Sequence, residues 1–367
     1  HTPSVYDTLT GEIHPIPYRV RNGRTEIQAA LYQLDSLLLC LSAYNGSEVL
    51  PQPEPKPARV FSLRHKVECR RMEPNVCLLD LARFRLDDGE FSGLEEILRI
   101  DNLCREQLGY PCRTDAIPQP WTVRKKPIEH WVTLEYTLYS EMELAGALLA
   151  LEDAADAKII LNGQAVPVEI NGYFVDKVIQ TVPLPPLAKG ENNIQVTLPF
   201  AEHRDLESVY LLGEFDVRLE GVEQTLMPCR DWLGFGSVVP QGRPFYSGNL
   251  EYRFEIELES CGSLEIRVSR YAGAAVAVEV DGIRRGLIII PPYTCRAEGL
   301  SQGKHEILLR VLGTRHNTFG ALHCCDPTLT WNGPGAWRTT GDSFCYEYNT
   351  RDYGILKSPE MAFFPEE

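Results

Sequence analysis

The strongest constraint on the fold is a pattern that occurs twice. In the first copy apolar residues alternate with polar ones through Val132, Leu134, Tyr136 and Leu138. The chain then passes through Lys158-Ile159-Ile160-Leu161 into an Asn162-Gly163 turn and closes with Gly190, Asn192 and the alternating strand Ile194, Val196, Leu198. In the second copy Leu250, Tyr252, Phe254, Ile256 and Leu258 alternate with Glu251, Arg253, Glu255, Glu257 and Glu259. Val276 to Val280 then leads to an Asp281-Gly282 turn, and the copy closes with Gly303, His305 and the strand Ile307, Leu309, Val311. A period of two puts every second side chain on one face, as in an antiparallel strand with one side on a core and one in water. Asn-Gly and Asp-Gly supply the positive φ angles of a tight hairpin. The landmarks Val132 and Leu250, Asn162 and Asp281, and Gly190 and Gly303 are offset by 118, 119 and 113 residues. A unit of roughly 100 residues is the size of a β-sandwich domain. The fold class predicted is mainly β, with two tandem antiparallel β-sandwiches at 119–224 and 225–350.

Outside the repeat the chain reads as smaller pieces. Turn signals at Thr10-Gly11 and Asn22-Gly23 separate short strands in residues 1–57, a small β linker domain. Pro51, Pro53, Pro55 and Pro57 then favour an extended spacer. Residues 58–118 are expected to connect, with a strand pair around Asp87-Asp88-Gly89 and one helix. Ser92 is its expected cap, Glu95 its capping-box partner and Gly109 its end. The apolar run 287–292 reads as a buried strand, and 351–367 as a C-terminal tail.

Composition narrows the function. A net charge of -15 argues against nucleic acid, which needs clustered Lys and Arg, and against an anionic membrane surface. No run of about 18 apolar residues offers a membrane span. The 11 cysteines are odd in number and lack metal-ligand spacing, so they read as reduced structural thiols and favour the cytoplasm. The first residue is His, which leaves a cut start and a lost export signal open.

Several segments resemble known families. Leu161-Asn162-Gly163, Gly172-Tyr173-Phe174-Val175-Asp176 and Gly190-Glu191-Asn192-Asn193-Ile194 resemble the sugar-binding, galactose-binding-like jelly roll of family-two glycoside hydrolases. The run Leu206-Glu207-Ser208-Val209-Tyr210-Leu211-Leu212-Gly213-Glu214-Phe215 resembles a segment of large bacterial proteins similar to α-L-rhamnosidases. So do Pro244-Phe245-Tyr246-Ser247-Gly248-Asn249 and the run from Gly313 to Gly320. The opening run from Tyr6 to Glu12 looks like the β segment that follows the catalytic barrel in such proteins. The resemblance implies a C-terminal accessory region that braces a catalytic barrel domain and holds a glycan. It carries over no catalytic residue, because this chain has no alternation of strands and helices from which to build a barrel.

Sugar recognition needs an aromatic face and flanking hydrogen-bonding groups, and loops are where such residues gather. The candidates are Tyr173, Phe174, Asp176, His203 and Arg204 in the first sandwich. In the second they are Trp232, Phe235, Arg243, Tyr246, Asn249, Arg315, His316 and Asn317. Core packing is the competing reading for Phe245 and Tyr246, and a hydrogen-bonded corner for Arg315-His316-Asn317. Trp331 and Trp337 sit among Gly and Pro near the end. Glu152, Asp153 and Asp156 could ligate calcium, as jelly-roll lectin domains often do, or form a solvated acidic turn. The rival functions are a structural or interaction module that binds no sugar, marked by an exposed apolar patch in the first 120 residues, and a small hydrolase built on two carboxylates.

Overall fold

The computed structural model describes residues 1–8, 11–32, 36–44, 46, 48–51, 55–113, 124–329 and 333–366. The alternating residues Val132, Leu134, Tyr136 and Leu138 are buried on the strand His130–Ser140, which pairs antiparallel with Gly190–Phe200, Tyr136 opposite Ile194. Leu250–Leu258 buries its apolar set in the same way and pairs with Gly303–Val311, Phe254 opposite Ile307. Each pair is the centre of a sheet. The first sheet runs Leu81–Leu86, His130–Ser140, Gly190–Phe200, Lys158–Leu161, Gln164–Val166. Its counterpart runs Val67–Arg71, Leu250–Leu258, Gly303–Val311, Val276–Val280, Ile283–Ile288. The facing sheets correspond equally well. Asp176–Pro183, Leu148–Leu151, Val209–Gly213 and Asn75–Leu79 in the first match Thr294–Leu300, Gly262–Arg267, Glu360–Pro365 and Arg59–Ser62 in the second. The chain is thus two antiparallel β-sandwiches of one topology, each closed around its own apolar core.

The pairings also show that one sandwich is inserted in the other. Arg59–Ser62 and Val67–Arg71 open the second sandwich. The chain then builds the first from Asn75 to Met227, and returns to the second at Trp232–Leu233. Residues 58–118, expected as a connector, therefore serve both sandwiches, and the expected tail 351–367 supplies the strand Glu360–Pro365 between Gly262–Arg267 and Arg59–Ser62. Periodicity misses this because the flanking strands are short and their partners lie at the far end of the chain.

The helix spans Ile97–Leu108 and buries Ile97, Ile100 and Cys104 against the first core. Gly109 ends it at φ 68, a left-handed conformation that glycine adopts freely. Its start differs from expectation. Leu94–Glu96 pairs as a strand with Leu81–Leu86, so Ser92 and Glu95 stand before the helix, and the Glu96 carboxylate caps it by accepting from the Leu98 and Arg99 N–H groups. Sheet pairing has displaced the capping box.

In the N-terminal unit Thr2–Tyr6 lies between Ile13–Pro15 and Leu39–Ser42, and Tyr18–Arg21 turns through Asn22-Gly23 into Arg24–Ile27. Thr10, Pro53, Trp121 and Trp331 lie outside the described residues. The run 287–292 is not a buried strand. Ile283–Ile288 is the outermost strand of its sheet, and after it Ile289 and Ile290 stand exposed. All eleven cysteines are free thiols. No described helix is long and apolar enough to cross a membrane.

Candidate functional site

A cavity of about 260 Å³ opens where the first sandwich meets the start of the helix and residues 318–324 and 337–338. Asp80, between the strands Asn75–Leu79 and Leu81–Leu86, reaches it where the chain crosses from one sheet to the other. Glu96 reaches it from the helix cap, and Glu207 from the approach to Val209–Gly213. Tyr210, Phe319 and Trp337 contribute aromatic wall, and His323 and Arg338 contribute positive groups. Behind that wall Phe174, Tyr210 and Phe319 form a three-ring cluster with centroids 5.4 to 5.6 Å apart.

Asp80 organises the floor. One oxygen lies 3.2 Å from His323 Nε2, and the other accepts from the Tyr348 hydroxyl at 2.6 Å. The Gln224 amide donates to that hydroxyl and to the Leu78 carbonyl. His323 Nδ1 lies 3.0 Å from the Cys345 carbonyl. Burial alone would lower the His323 pKa, but the hydrogen bond and charge of Asp80, the charge of Glu96 and the Cys345 carbonyl together raise it. An acceptor on each ring nitrogen suits the imidazolium form.

The other carboxyls are pushed toward their neutral form. Burial and the neighbouring Asp80 carry Glu96 up to about 7, against the helix N–H groups that favour its charge. Burial raises Glu207 in spite of its ion pair with Arg113 at 2.9 Å. Glu152 stands at the exposed rim, and burial of its carboxyl against the wall, then Glu207, Asp153, Asp205 and Asp176, raise it to about 7. Glu152 and Glu207 also line a second cavity of about 330 Å³ with Lys125, Leu198, Pro199, His203, Arg204 and Asp205.

Of the first-sandwich candidates His203 and Arg204 line the second cavity, and Tyr173, Phe174 and Asp176 line neither. Tyr173 is exposed at the rim strand Gly172–Phe174, Phe174 backs the aromatic wall, and Asp176 accepts from the Val178 N–H while its charge reaches Glu152. His203 and Arg204 lie in the second cavity. The calcium candidates Glu152, Asp153 and Asp156 lie on an acidic loop. Arg204 sits 2.7 Å from Asp156 and 3.5 Å from Asp153, so a side-chain cation already neutralises that loop. Among the described residues no group of three or more His, Cys, Asp or Glu could hold a metal ion.

The candidates of the second sandwich do not converge. Trp232 is exposed on the short edge strand Trp232–Leu233, and Phe235 packs on the second core, stacked on Tyr252. Arg243 is buried and donates to the Cys69 and Arg230 carbonyls. The Tyr246 hydroxyl donates to the Asn249 carbonyl, and Asn249 accepts from the Gly313 N–H. Arg315 pairs with Glu73, Asn317 is bonded twice to the Arg351 backbone, and burial with Arg351 lowers His316 to about 4. These residues build the joint between the sandwiches and the corner after the last repeat strand. Asp80, Glu96, His323 and Tyr348 are the site residues that sequence reasoning missed. They come from four separate segments, and each looks ordinary in its own.

Fold and cavity define a class, a nested pair of β-sandwiches with a carboxyl-rich, aromatic-walled cavity on the inserted member. No family model matches the sequence, and no curated protein matches it. Among solved structures the chain is similar to a rhamnosidase from Novosphingobium sp. PP1Y, with 16% identity, a TM-score of 0.26, and coverage of 65% of this chain and 23% of that one. A GH2 β-galacturonidase from Eisenbergiella tayi matches at 13% identity and a TM-score of 0.23, over 66% of this chain and 37% of that one. An anti-sigma factor domain-containing protein matches at 9% identity and a TM-score of 0.19, over 64% of this chain and 90% of that one. The match therefore spans only 23% and 37% of the length of the rhamnosidase and the β-galacturonidase.

Proposed function

We propose that this chain is a non-catalytic, carbohydrate-binding accessory region of a glycoside-hydrolase-like protein, and that the cavity around Asp80, Glu207 and His323 is its sugar site. The observation that carries the reading is an aromatic wall and fixed polar groups in one cavity. Tyr210, Phe319 and Trp337 offer apolar surface to the C–H face of a pyranose, while carboxyl oxygens accept from hydroxyls, Arg338 donates to them and His323 holds Asp80 in place. Binding fits better than hydrolysis because the carboxyls are already engaged. Asp80 serves His323 and Tyr348, Glu207 serves Arg113, and Glu96 caps the helix. The motif resemblance in Gly172 to Asp176 and Leu206 to Phe215 points the same way. A glycan array followed by calorimetry tests it, and a folded protein that binds no glycan overturns it.

A second reading is a scaffold that packs against another domain, such as the catalytic barrel that the resemblance implies, and binds no sugar. Its support is the apolar exposure of the N-terminal unit, where Ile13, Leu31, Leu38, Leu41 and Leu50 are each more than half exposed. A silent array from the folded protein favours it.

A further inference from the structure

We infer that the site takes a neutral oligosaccharide rather than a single sugar or a uronate, an inference that rests on the sugar-binding reading above. The cavity beside His323 measures about 260 Å³, and the one beside His203 about 330 Å³. Small-molecule sites usually measure roughly 300 to 1,000 Å³, so each chamber lies near the lower bound and the pair falls well inside the range. Glu152 and Glu207 line both chambers and form the waist between them. A linear ligand laid across that waist places one ring against Trp337 and Tyr210 and another against Leu198 and Pro199.

His203 lines the second chamber. His203 Nδ1 is buried and has no hydrogen-bond partner. A buried ring nitrogen left unbonded costs free energy that a ligand hydroxyl recovers. The waist also sets the charge of the ligand. Glu152 and Glu207 are the carboxyls there: burial raises both toward the neutral form, Glu207 is paired with Arg113 and the neighbouring Asp153 with Arg204, and Glu152 has no ion pair among the described residues. A uronate crossing the waist would add a further carboxylate to that group, whereas a neutral hydroxyl can donate to it.

The test is calorimetry on galactose, rhamnose and fructose and on their oligosaccharides of two to four residues, with oligogalacturonides of the same lengths. The expected result is an affinity that rises about tenfold or more from one residue to three in one neutral series, with the oligogalacturonides weaker. His203→Ala should lower trisaccharide affinity about tenfold, and His203→Gln, which keeps a hydrogen-bonding group, should lower it less. Equal affinity for one residue and three, or equal binding of the oligogalacturonide, overturns the inference while leaving a monosaccharide or uronate site intact. A folded protein that binds no member of any series overturns the sugar-binding reading itself, and this inference with it.

Discussion

Phe245 and Tyr246 are neighbours in the chain and lie in different cores. Phe245 is fully buried in the first sandwich with its ring edge-on to Tyr348 at 4.9 Å, and Tyr246 is buried in the second. Phe245 lies at a bend in the chain, and one dipeptide anchors both sandwiches. Removing the Phe245 ring should cost about 3–5 kcal/mol. Phe245→Ala is therefore expected to lower the urea midpoint of the first sandwich, although residue 245 lies beyond its last strand. An unchanged midpoint would show that the ring contributes nothing to that core.

Asp216 holds the point where the inserted sandwich joins its host. It is fully buried, 2.8 Å from Arg230 and 3.6 Å from Arg71, with Arg243 at 4.0 Å. Asp216→Ala leaves the buried Arg71 and Arg243 without their central counter-charge, which should cost about 3–5 kcal/mol. Calorimetry should show a lower melting temperature, with a smaller drop for Asp216→Asn. A wild-type melting temperature for Asp216→Ala would mean that the arginines are satisfied without it.

The two sandwiches build one corner with different chemistry. In the first, Asn162 donates to the Asn192 side chain and accepts from the Asn193 N–H; in the second, Asp281 lies 2.6 Å from His305 and accepts from the Glu306 N–H. Burial opposes the His305 charge, but the Asp281 hydrogen bond, the Ser301 carbonyl and the Asp281 charge raise its pKa; burial likewise opposes the Asp281 charge, but the His305 and Glu306 hydrogen bonds and the His305 charge lower its pKa. The raised His stabilises the fold below the ordinary imidazole value of about 6.5 and loses that contribution as pH rises through its folded value. The lowered Asp contributes above the ordinary carboxylate value of about 3.9 and loses its contribution as pH falls. The pair is thus most stabilising between those values. His305→Asn, which copies the first sandwich, should flatten the fall in stability between pH 6 and 8 measured by urea unfolding. An unchanged slope would assign the fall to other groups, such as His323.

Arg99 clamps the cavity's outer segment to the helix. It donates to the Thr339 carbonyl at 2.6 Å and lies over the rings of Phe344 and Tyr346. Arg99→Ala removes contacts of roughly 1–2 kcal/mol. Hydrogen exchange should quicken at residues 339–346 and stay unchanged in the strand Gly190–Phe200. Equal protection in variant and wild type would show that the segment is held elsewhere.

The repeat was legible because period-two alternation and Asn-Gly or Asp-Gly turns are local signals. Val132 to Leu138 and Leu250 to Leu258 both lie where the pattern puts them. The nesting was not legible, since nothing in Arg59–Ser62 names Glu360–Pro365 as its partner. Of the Tyr173, Phe174 and Asp176 motif only Phe174 touches the cavity wall, through Tyr210 and Phe319, and the Asp80 and His323 pair joins segments far apart in sequence, which no spacing rule finds. Polar residues such as Arg243 and Arg315 looked like ligand groups because loops favour function; here they bond buried backbone and a half-buried carboxylate.

The most direct test of the central claim is calorimetric binding of array-selected glycans to the wild-type chain, Trp337→Ala and Trp232→Ala. Trp337 lines the cavity, whereas Trp232 is exposed on an edge strand and lines neither cavity of the site. The account predicts that Trp337→Ala weakens binding about tenfold, the scale of one lost aromatic contact, and that Trp232→Ala binds as wild type does. Binding that survives Trp337→Ala but disappears with Trp232→Ala would contradict it and place the glycan outside this cavity.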